Sequence, residues 1–518
     1  MPTDFDLLDS IYPLPHEELY RQWVLGRDAS VMPDAWPRWT LRGWTLAAHD
    51  DAHVCRLATT SGAPIGWVIQ PQLHTDAGGA RRPRDEIRIA ADPEGPDETA
   101  IEHGLYGRDA AGRADGTGLE GMWIAIVIAE GLSRVYLGPT HSVVYDRDKQ
   151  RVATSHNLLA PFERDLELSR AFDPIATNLY YSFGLTPFRG VRRLLPNHYL
   201  DLDDFAAVRH WPKAPFPRRS AQEGVSAMVA HGRRLLHGLS EGVERIEVPL
   251  SAGNDSRAVL SLLQPIIAEG RVAVRPFTTV GLAFEQRIDL QGGRRLARIA
   301  GLPHETRPRQ RHQAAPVEIL MRNFARIGEA KSGSALSRPQ LLAPPAASTA
   351  TPERKLTVAG MGGETGRAFY WSGGAPAQLT ASDLVRRVGA PILEATRTAA
   401  QDWIDGLPDF VRDEPADALD LAYVEQRMGC WEANARYLFP GRPDVISPMA
   451  SGRCIDAVFG LPEGYRRTGR LQQDMVAQAW PALLAVPFNR ATGALLVEQK
   501  LRGLARRLRP IDEATARI

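Results

Sequence analysis

Six consecutive residues, Ser251-Ala252-Gly253-Asn254-Asp255-Ser256, combine small side chains, two hydroxyls and one carboxylate. They follow residues 245–250, whose alternation predicts a short buried strand ending at Leu250. They precede residues 257–263, whose apolar spacing predicts a helix. A small-residue loop between strand and helix aims backbone N–H groups, and the helix's positive end, at one spot. The anion this pattern suits is pyrophosphate. Ser251, Gly253, Asn254 and Ser256 would form the cradle, and Asp255 can hold a magnesium ion against phosphates. It is not a Walker loop, because no Gly-Lys-Ser/Thr follows. The same residue types also build ordinary turns without a ligand, so the hexapeptide alone leaves both readings open.

A second stretch, residues 356–364, reads as a strand running into a glycine-rich turn, Gly360-Met361-Gly362-Gly363-Glu364. Glycines there let backbone approach a ligand closely. Glu364 is a candidate to share a magnesium ion with Asp255; the alternative is a tight turn with an exposed acid. Arg257, Arg427 and Arg436 are candidates for phosphate or carboxylate contact, since the planar arginine fork suits both groups. Tyr370 and Trp371 are candidates to line an acceptor pocket, with core packing as the alternative.

The elements that must position these residues belong to a chain of 518 residues, long enough for two or three domains. A net charge of +1 gives no reason to expect nucleic acid or an anionic membrane as partner. The basic residues are nearly all arginine, the only lysines being Lys149, Lys213, Lys331, Lys355 and Lys500. Cys55, Cys430 and Cys454 have no metal-ligand spacing and predict no disulfide framework. With no signal-peptide pattern and no long apolar run, a cytoplasmic location is expected.

Up to about residue 210 the chain is strand-rich. Strands are predicted at 123–128 and 133–137 around a turn at Glu130-Gly131, and at 141–145 and 151–155 around a turn at 146–148. Stacked antiparallel sheets are the expectation, with residues 76–118 dominated by loop. The proline-rich stretch 211–217 is the candidate linker. Beyond it, strands alternating with helices predict a parallel sheet. One such strand is 272–280, ending at Val280, although Pro276 argues against it. Residues 343–349 read as a surface loop, and the chain from 418 onward as mostly helical.

Together these motifs resemble the asparagine synthetase family. That family carries Ser-Gly-Gly-Leu-Asp-Ser after its first synthetase strand, the same frame with Ala252 and Asn254 substituted here. Its later Gly-Glu-Gly-Ala-Asp-Glu turn is similar to Gly360-Met361-Gly362-Gly363-Glu364-Thr365. Asp289, Ala297, Gly301 and His304 echo the helix and turn after the family's second strand. Pro448-Met449-Ala450-Ser451 leading to Leu461-Pro462 resembles its Pro-Phe-Leu-Asp segment, and residues 188–200 resemble the end of its glutaminase domain.

The departures are specific. Glutaminase activity in that family needs a cysteine at the start of the mature chain; this sequence begins Met1-Pro2-Thr3, so glutamine is not the expected nitrogen source. The family's arginine-aspartate pair is not matched around residues 137–140. Ser451 stands for the aspartate of Pro-Phe-Leu-Asp, Met361 for the first acid of the glycine-rich turn, and no lysine lies near Arg470-Leu471-Gln472-Gln473-Asp474.

What the resemblance implies is an α/β protein of two domains. Residues 1–210 would be a degenerate, Ntn-hydrolase-like antiparallel two-sheet domain. Residues 218–518 would be a parallel-sheet ATP-pyrophosphatase domain with a helical C-terminal part. It implies MgATP as cosubstrate, with Asp255 and Glu364 on the metal, Arg257 assisting catalysis, and Leu250, Val280, Gly360 and Gly362 beside the nucleotide. A small-molecule or peptide carboxylate would be adenylated and passed to an amine, in a candidate homodimer. The alternatives are a lasso-type peptide cyclase, and a non-catalytic binding protein that keeps the fold.

Overall fold

The apolar residues of the first half follow a two-residue period, and that period decides which layer each side chain joins. In the strand Ile124–Ala129, Ile124, Ile126 and Ile128 enter one core while Ala125, Val127 and Ala129 enter another. The computed structural model describes residues 4–508 apart from 77–78, 82, 84, 93–96, 110–114, 116, 174–176, 178, 282, 309–316, 330–353, 434–436 and 438–443.

Ile124–Ala129 is the fourth strand of a seven-stranded sheet running from Ala207–Arg209 to Glu86–Ile89. Every pairing in it is antiparallel except Val54–Thr59 with Glu86–Ile89. A six-stranded antiparallel sheet packs face to face against it, sharing Trp23, Leu25, Trp44, Leu46, Val143 and Val152 with the three isoleucines. The outer face of the larger sheet is covered by Glu98–Tyr106 through Ile101 and Leu105. The outer face of the smaller sheet is covered by two helices, Asp4–Ile11 and Val317–Arg326. The first half is thus four layers, helix on sheet on sheet on helix. The predicted hairpin at Glu130-Gly131 joins Ile124–Ala129 to Leu132–Leu137.

Three sequence expectations differ from the structure. Residues 76–118 hold more than loop: Asp97 caps the helix Glu98–Tyr106 by accepting the Thr99 N–H, and Gly107, at φ +61, ends it. Residues 211–217 form no helix or strand, yet Trp211 and Phe216 are buried against Phe459, with ring centroids 5.6 and 4.5 Å away. The stretch is a packed strap. Finally, the helix Val317–Arg326 belongs by sequence to the second half but packs on the first. Arg326 pairs with Glu18 at 2.8 Å, and just beyond the helix Glu329 takes both arms of Arg164, at 2.7 and 3.0 Å.

The second half is built on a five-stranded, all-parallel sheet. Its spatial order is Glu305–Pro308, Ala273–Val280, Arg245–Pro249, Lys355–Val358 and Asp444–Ile446. In chain order this is third, second, first, fourth, fifth. The chain leaves the first strand in both directions, which opens a crevice at the carboxyl ends of the first and fourth strands. Pro276 is accommodated because pairing with Glu305–Pro308 begins only at Phe277, so one side of Pro276 has no ladder to interrupt. Ile246, Val248, Val274, Leu356, Val358 and Ile446 share one core with the helices Ala221–Ser240, Asn254–Leu262 and Leu471–Ala479. Ser220 and Glu223 start the first of these with a reciprocal capping box.

From residue 415 onward the described chain is mostly helical, including a ten-residue π-helix, Tyr423–Glu432. The short strand Asp444–Ile446 interrupts it; three residues are too few to register as alternation. The stretch 343–349 and Arg436 lie outside the described residues. Among the described residues no helix is long and apolar enough to cross a membrane.

Candidate functional site

Leu250, Val280 and Gly360 stand at the carboxyl ends of three adjacent strands. Hydrogen bonds fix the ends against each other. The Leu250 N–H donates to the Phe277 carbonyl at 2.7 Å, and the Thr278 hydroxyl donates to the Leu250 carbonyl at 2.6 Å. His304 Nε2 meets the same hydroxyl at 2.9 Å.

The loop that follows Leu250 spends several of its donors on its own shape. The Ser251 N–H donates to Ser256 Oγ at 3.1 Å, and the two hydroxyls lie 2.9 Å apart. The Gly253 N–H donates to Ser251 Oγ at 3.1 Å, while the Ala252 N–H donates to Asp289 at 3.1 Å. Gly253 is the helix cap, and Asn254, Asp255 and Ser256 form the first turn of Asn254–Leu262. First-turn N–H groups have no acceptor within their own helix. The donors not used by the loop itself are therefore those of the helix start, with the loop holding them in place.

Asp255 and Glu364, 109 positions apart in sequence, are joined by one guanidinium: Arg367 Nη2 lies 3.0 Å from Asp255 Oδ2 and 3.8 Å from Glu364 Oε1. Close contact between the two turns depends on glycine. A Cβ at Gly360 would lie 2.8 Å from Asp255 Cβ, and one at Gly363 would lie 2.3 Å from Asp255 Oδ1. Gly362, at φ +88, beds the turn on the backbone of Ala450, whose N would be 2.8 Å from an added Cβ. Gly363→Ala is therefore expected to displace the Asp255 carboxylate at a cost of about 1–3 kcal/mol. Urea denaturation measures this, and unchanged stability would contradict the packing described.

Burial pushes the Asp255 carboxyl up to about 6, against the opposing pull of Arg367 and with a further push from Glu364. Asp255 Oδ1 and Asn254 Oδ1 are buried without a hydrogen-bond partner. An unpartnered buried carboxylate oxygen beside a second acid fits a hard divalent cation. Among the described residues no three His, Cys, Asp or Glu side chains converge as a metal site. A magnesium ion held by Asp255 and Glu364 would therefore draw its other oxygens from phosphate and water.

Arg257 is corrected from a catalytic to a structural role. It is fully buried and donates to the carbonyls of Ala252 (3.2 Å), Leu483 (3.4 Å), Pro487 (3.2 Å) and Val486. Its guanidinium also stacks 3.6 Å over Phe488. Both terminal nitrogens of the fork are turned toward the chain's own backbone, while the buried Nε has no hydrogen-bond partner. Trp371 is core, 1 % exposed, with its indole N–H on Asp420 at 2.9 Å. Tyr370 stands nearer the site, its ring centroid 6.0 Å from that of Tyr423, which donates its hydroxyl to Glu364.

Ser451 caps the helix Gly452–Phe459 and bonds His231 at 2.9 Å. Arg470 is exposed and pairs with Asp474 at 3.4 Å, while two residues on the Gln472 amide donates to the Gly363 carbonyl. Arg367, Tyr423 and Gln472 were not among the sequence candidates. Only Arg367 had a legible signal, its three-residue spacing from Glu364. No protein-family model matches this chain, and no curated protein matches it.

Proposed function

We propose that the chain is an ATP-dependent amide-forming ligase, an asparagine synthetase-like enzyme without glutaminase activity. The observation that carries this is the meeting of Asp255 and Glu364 at the crevice where the strand order reverses, beside the start of Asn254–Leu262. The four-layer first half is consistent with the same resemblance.

In this reading a substrate carboxylate oxygen bonds to the α-phosphorus of ATP, and the bond to the bridging oxygen breaks. Pyrophosphate leaves as a polyanion. The first-turn N–H groups would meet its charge as it develops, with the Ser251–Ser256 hydroxyl pair holding the loop in shape. Magnesium, when bound, neutralises part of that charge. Arg367 supplies the fixed positive charge that the family's lysine supplies elsewhere, and arginine holds it at any working pH. The amine nitrogen then bonds to the acyl carbon, AMP leaves with the carbon–oxygen electron pair, and a proton departs from nitrogen.

A second reading, binding without turnover, draws on the same Arg367, which already neutralises the two acids. Exchange of labelled pyrophosphate into ATP, dependent on an added carboxylate, decides between them. The ligase reading expects exchange with at least one carboxylate. ATP binding with no exchange across a broad carboxylate panel would favour the binding protein.

A further inference from the structure

Arg367, Arg427 at 3.9 Å and the Tyr423 hydroxyl all meet the side chain of Glu364, not the backbone that carries it. That backbone rests on the turn Pro448–Ala450. The Ala359 N–H donates to the Ile446 carbonyl at 2.8 Å. A Cβ at Gly362 would lie 2.8 Å from Ala450 N and 2.9 Å from the Met449 carbonyl carbon, so there is no slack between the two turns. Where residues 446–451 go, the glycine-rich turn must follow.

The first half of the chain grips this segment at two places. The Gln72 amide donates to the Val445 carbonyl at 3.1 Å and accepts the Met122 N–H at 3.3 Å. Glu120, at the end of the strand Gly118–Glu120 and only 4 % exposed, sets Oε1 3.3 Å from Arg453 Nε and 3.7 Å from His231 Nε2. His231 has one tautomer available. Arg234 donates to Nδ1 at 3.2 Å, so the proton sits on Nε2, where the Glu120 carboxylate also favours it. Ser451 Oγ accepts that proton at 2.9 Å and the Cys454 N–H at 3.4 Å, and gives its own hydrogen to the Pro448 carbonyl at 2.8 Å. Burial, with Arg453 and Arg234 nearby, pushes His231 down to about 3, so the ring stays neutral.

We propose that Glu120, acting through His231 and Ser451, is a positioning residue for Glu364, so that the first half of the chain holds the acidic turn against Asp255. What the turn binds rests on the ligase reading; how it is held does not. The charged form of Glu120 does the holding, since a carboxylate draws on Arg453 and orients the imidazole proton. The groups facing it are Arg453 and Asp456 from the helix Gly452–Phe459, His231 and Arg234 from Ala221–Ser240, and Arg108 from the loop after Glu98–Tyr106. Burial pushes the carboxyl up to about 7, against Arg453, Arg234 and Arg108 and with a further push from Asp456. The path is therefore engaged at pH 8.5 and released at pH 5.5.

Hydrogen–deuterium exchange of the full chain, read by mass spectrometry, tests this without a ligand. Variants are compared with the wild type at the same pH, so intrinsic exchange and the titration of Asp255 cancel. At pH 8.5 Glu120→Gln should speed exchange across residues 359–366 by about fivefold or more, leaving 124–129 and 245–249 unchanged. At pH 5.5, where the wild-type carboxyl is itself protonated, the two proteins should coincide. Ser451→Ala should speed the same residues, and the double variant should go no further than Ser451→Ala alone. Ser451→Thr, which keeps the hydroxyl, should match the wild type. Unchanged exchange at 359–366 in Glu120→Gln at pH 8.5, an equal difference at both pH values, or multiplied effects in the double variant would overturn the assignment. Manganese–nucleotide binding is followed separately: its absence in the wild type would sink the ligase reading, whereas the exchange result decides on Glu120.

Discussion

Asp255→Asn is expected to lower carboxylate-dependent pyrophosphate exchange by about 10²- to 10³-fold while making the protein more stable at neutral pH. The two effects share one cause. Asp255 is held charged in a buried place, with Oδ1 unpartnered and Glu364 nearby, and its carboxyl is raised from 3.8 to about 6. A folded-state value above the unfolded one means that the folded protein binds the proton more tightly. The contribution of this group to stability is therefore greatest below pH 4, falls as pH rises from about 4 to about 6, and stays reduced above that. A shift of this size corresponds to roughly 2–3 kcal/mol. Asparagine keeps the shape and cannot ionise, so the variant escapes most of that loss, less what Arg367 forfeits by losing one carboxylate. Urea denaturation at pH 4 and pH 7.5 measures it. The wild type should lose stability relative to the variant between the two, and a difference independent of pH would contradict the burial described for Asp255.

Arg257→Ala is expected to destabilise the fold by about 3 kcal/mol or more, above the effect of Gly363→Ala, because buried carbonyls lose their donor. Arginine at this position donates to four backbone carbonyls, of which those of Ala252 and Leu483 also accept a backbone N–H, and it stacks on Phe488. Removing it loosens residues 483–488 from the 251–253 loop, leaving the core packing of Leu483 and Val486 and the Asn489 N–H to the Ala252 carbonyl, at 3.0 Å, to hold them. Arg257→Lys should rescue little, because one ammonium cannot reach carbonyls spread around a planar fork. Urea denaturation at pH 7 again gives the number. A stable but slow Arg257→Ala protein would instead return this residue to the chemistry.

The contrast between these residues shows what a sequence carries. The strand–loop–helix unit around Asp255 was legible because small residues, alternation and helical spacing are local properties, and the helix begins three residues earlier than expected, at Asn254. The parallel sheet followed from the same pattern repeated. Arg257 was misassigned because its partners, residues 483–487, lie more than 220 positions away, and nothing local distinguishes an arginine that faces phosphate from one that faces carbonyls. Tyr423 is illegible for the same reason, and Arg367, though spaced three residues from Glu364, matters only once two turns have met. The helix Glu98–Tyr106 was hidden by flanking glycine, arginine and aspartate, although Asp97 is an ordinary cap. The strand Asp444–Ile446 takes its place from its neighbour Lys355–Val358, not from its own three residues.

The ligase proposal requires a nucleotide's phosphates to settle between the turns after the first and fourth parallel strands, with one acid from each turn on a shared cation. Manganese, standing in for magnesium, makes that requirement directly measurable by electron paramagnetic resonance in the presence of a non-hydrolysable ATP analogue. One manganese site per chain is expected, tightening sharply when the analogue is added and weakened by both Asp255→Asn and Glu364→Gln. Manganese–nucleotide binding left unchanged by either variant would contradict it.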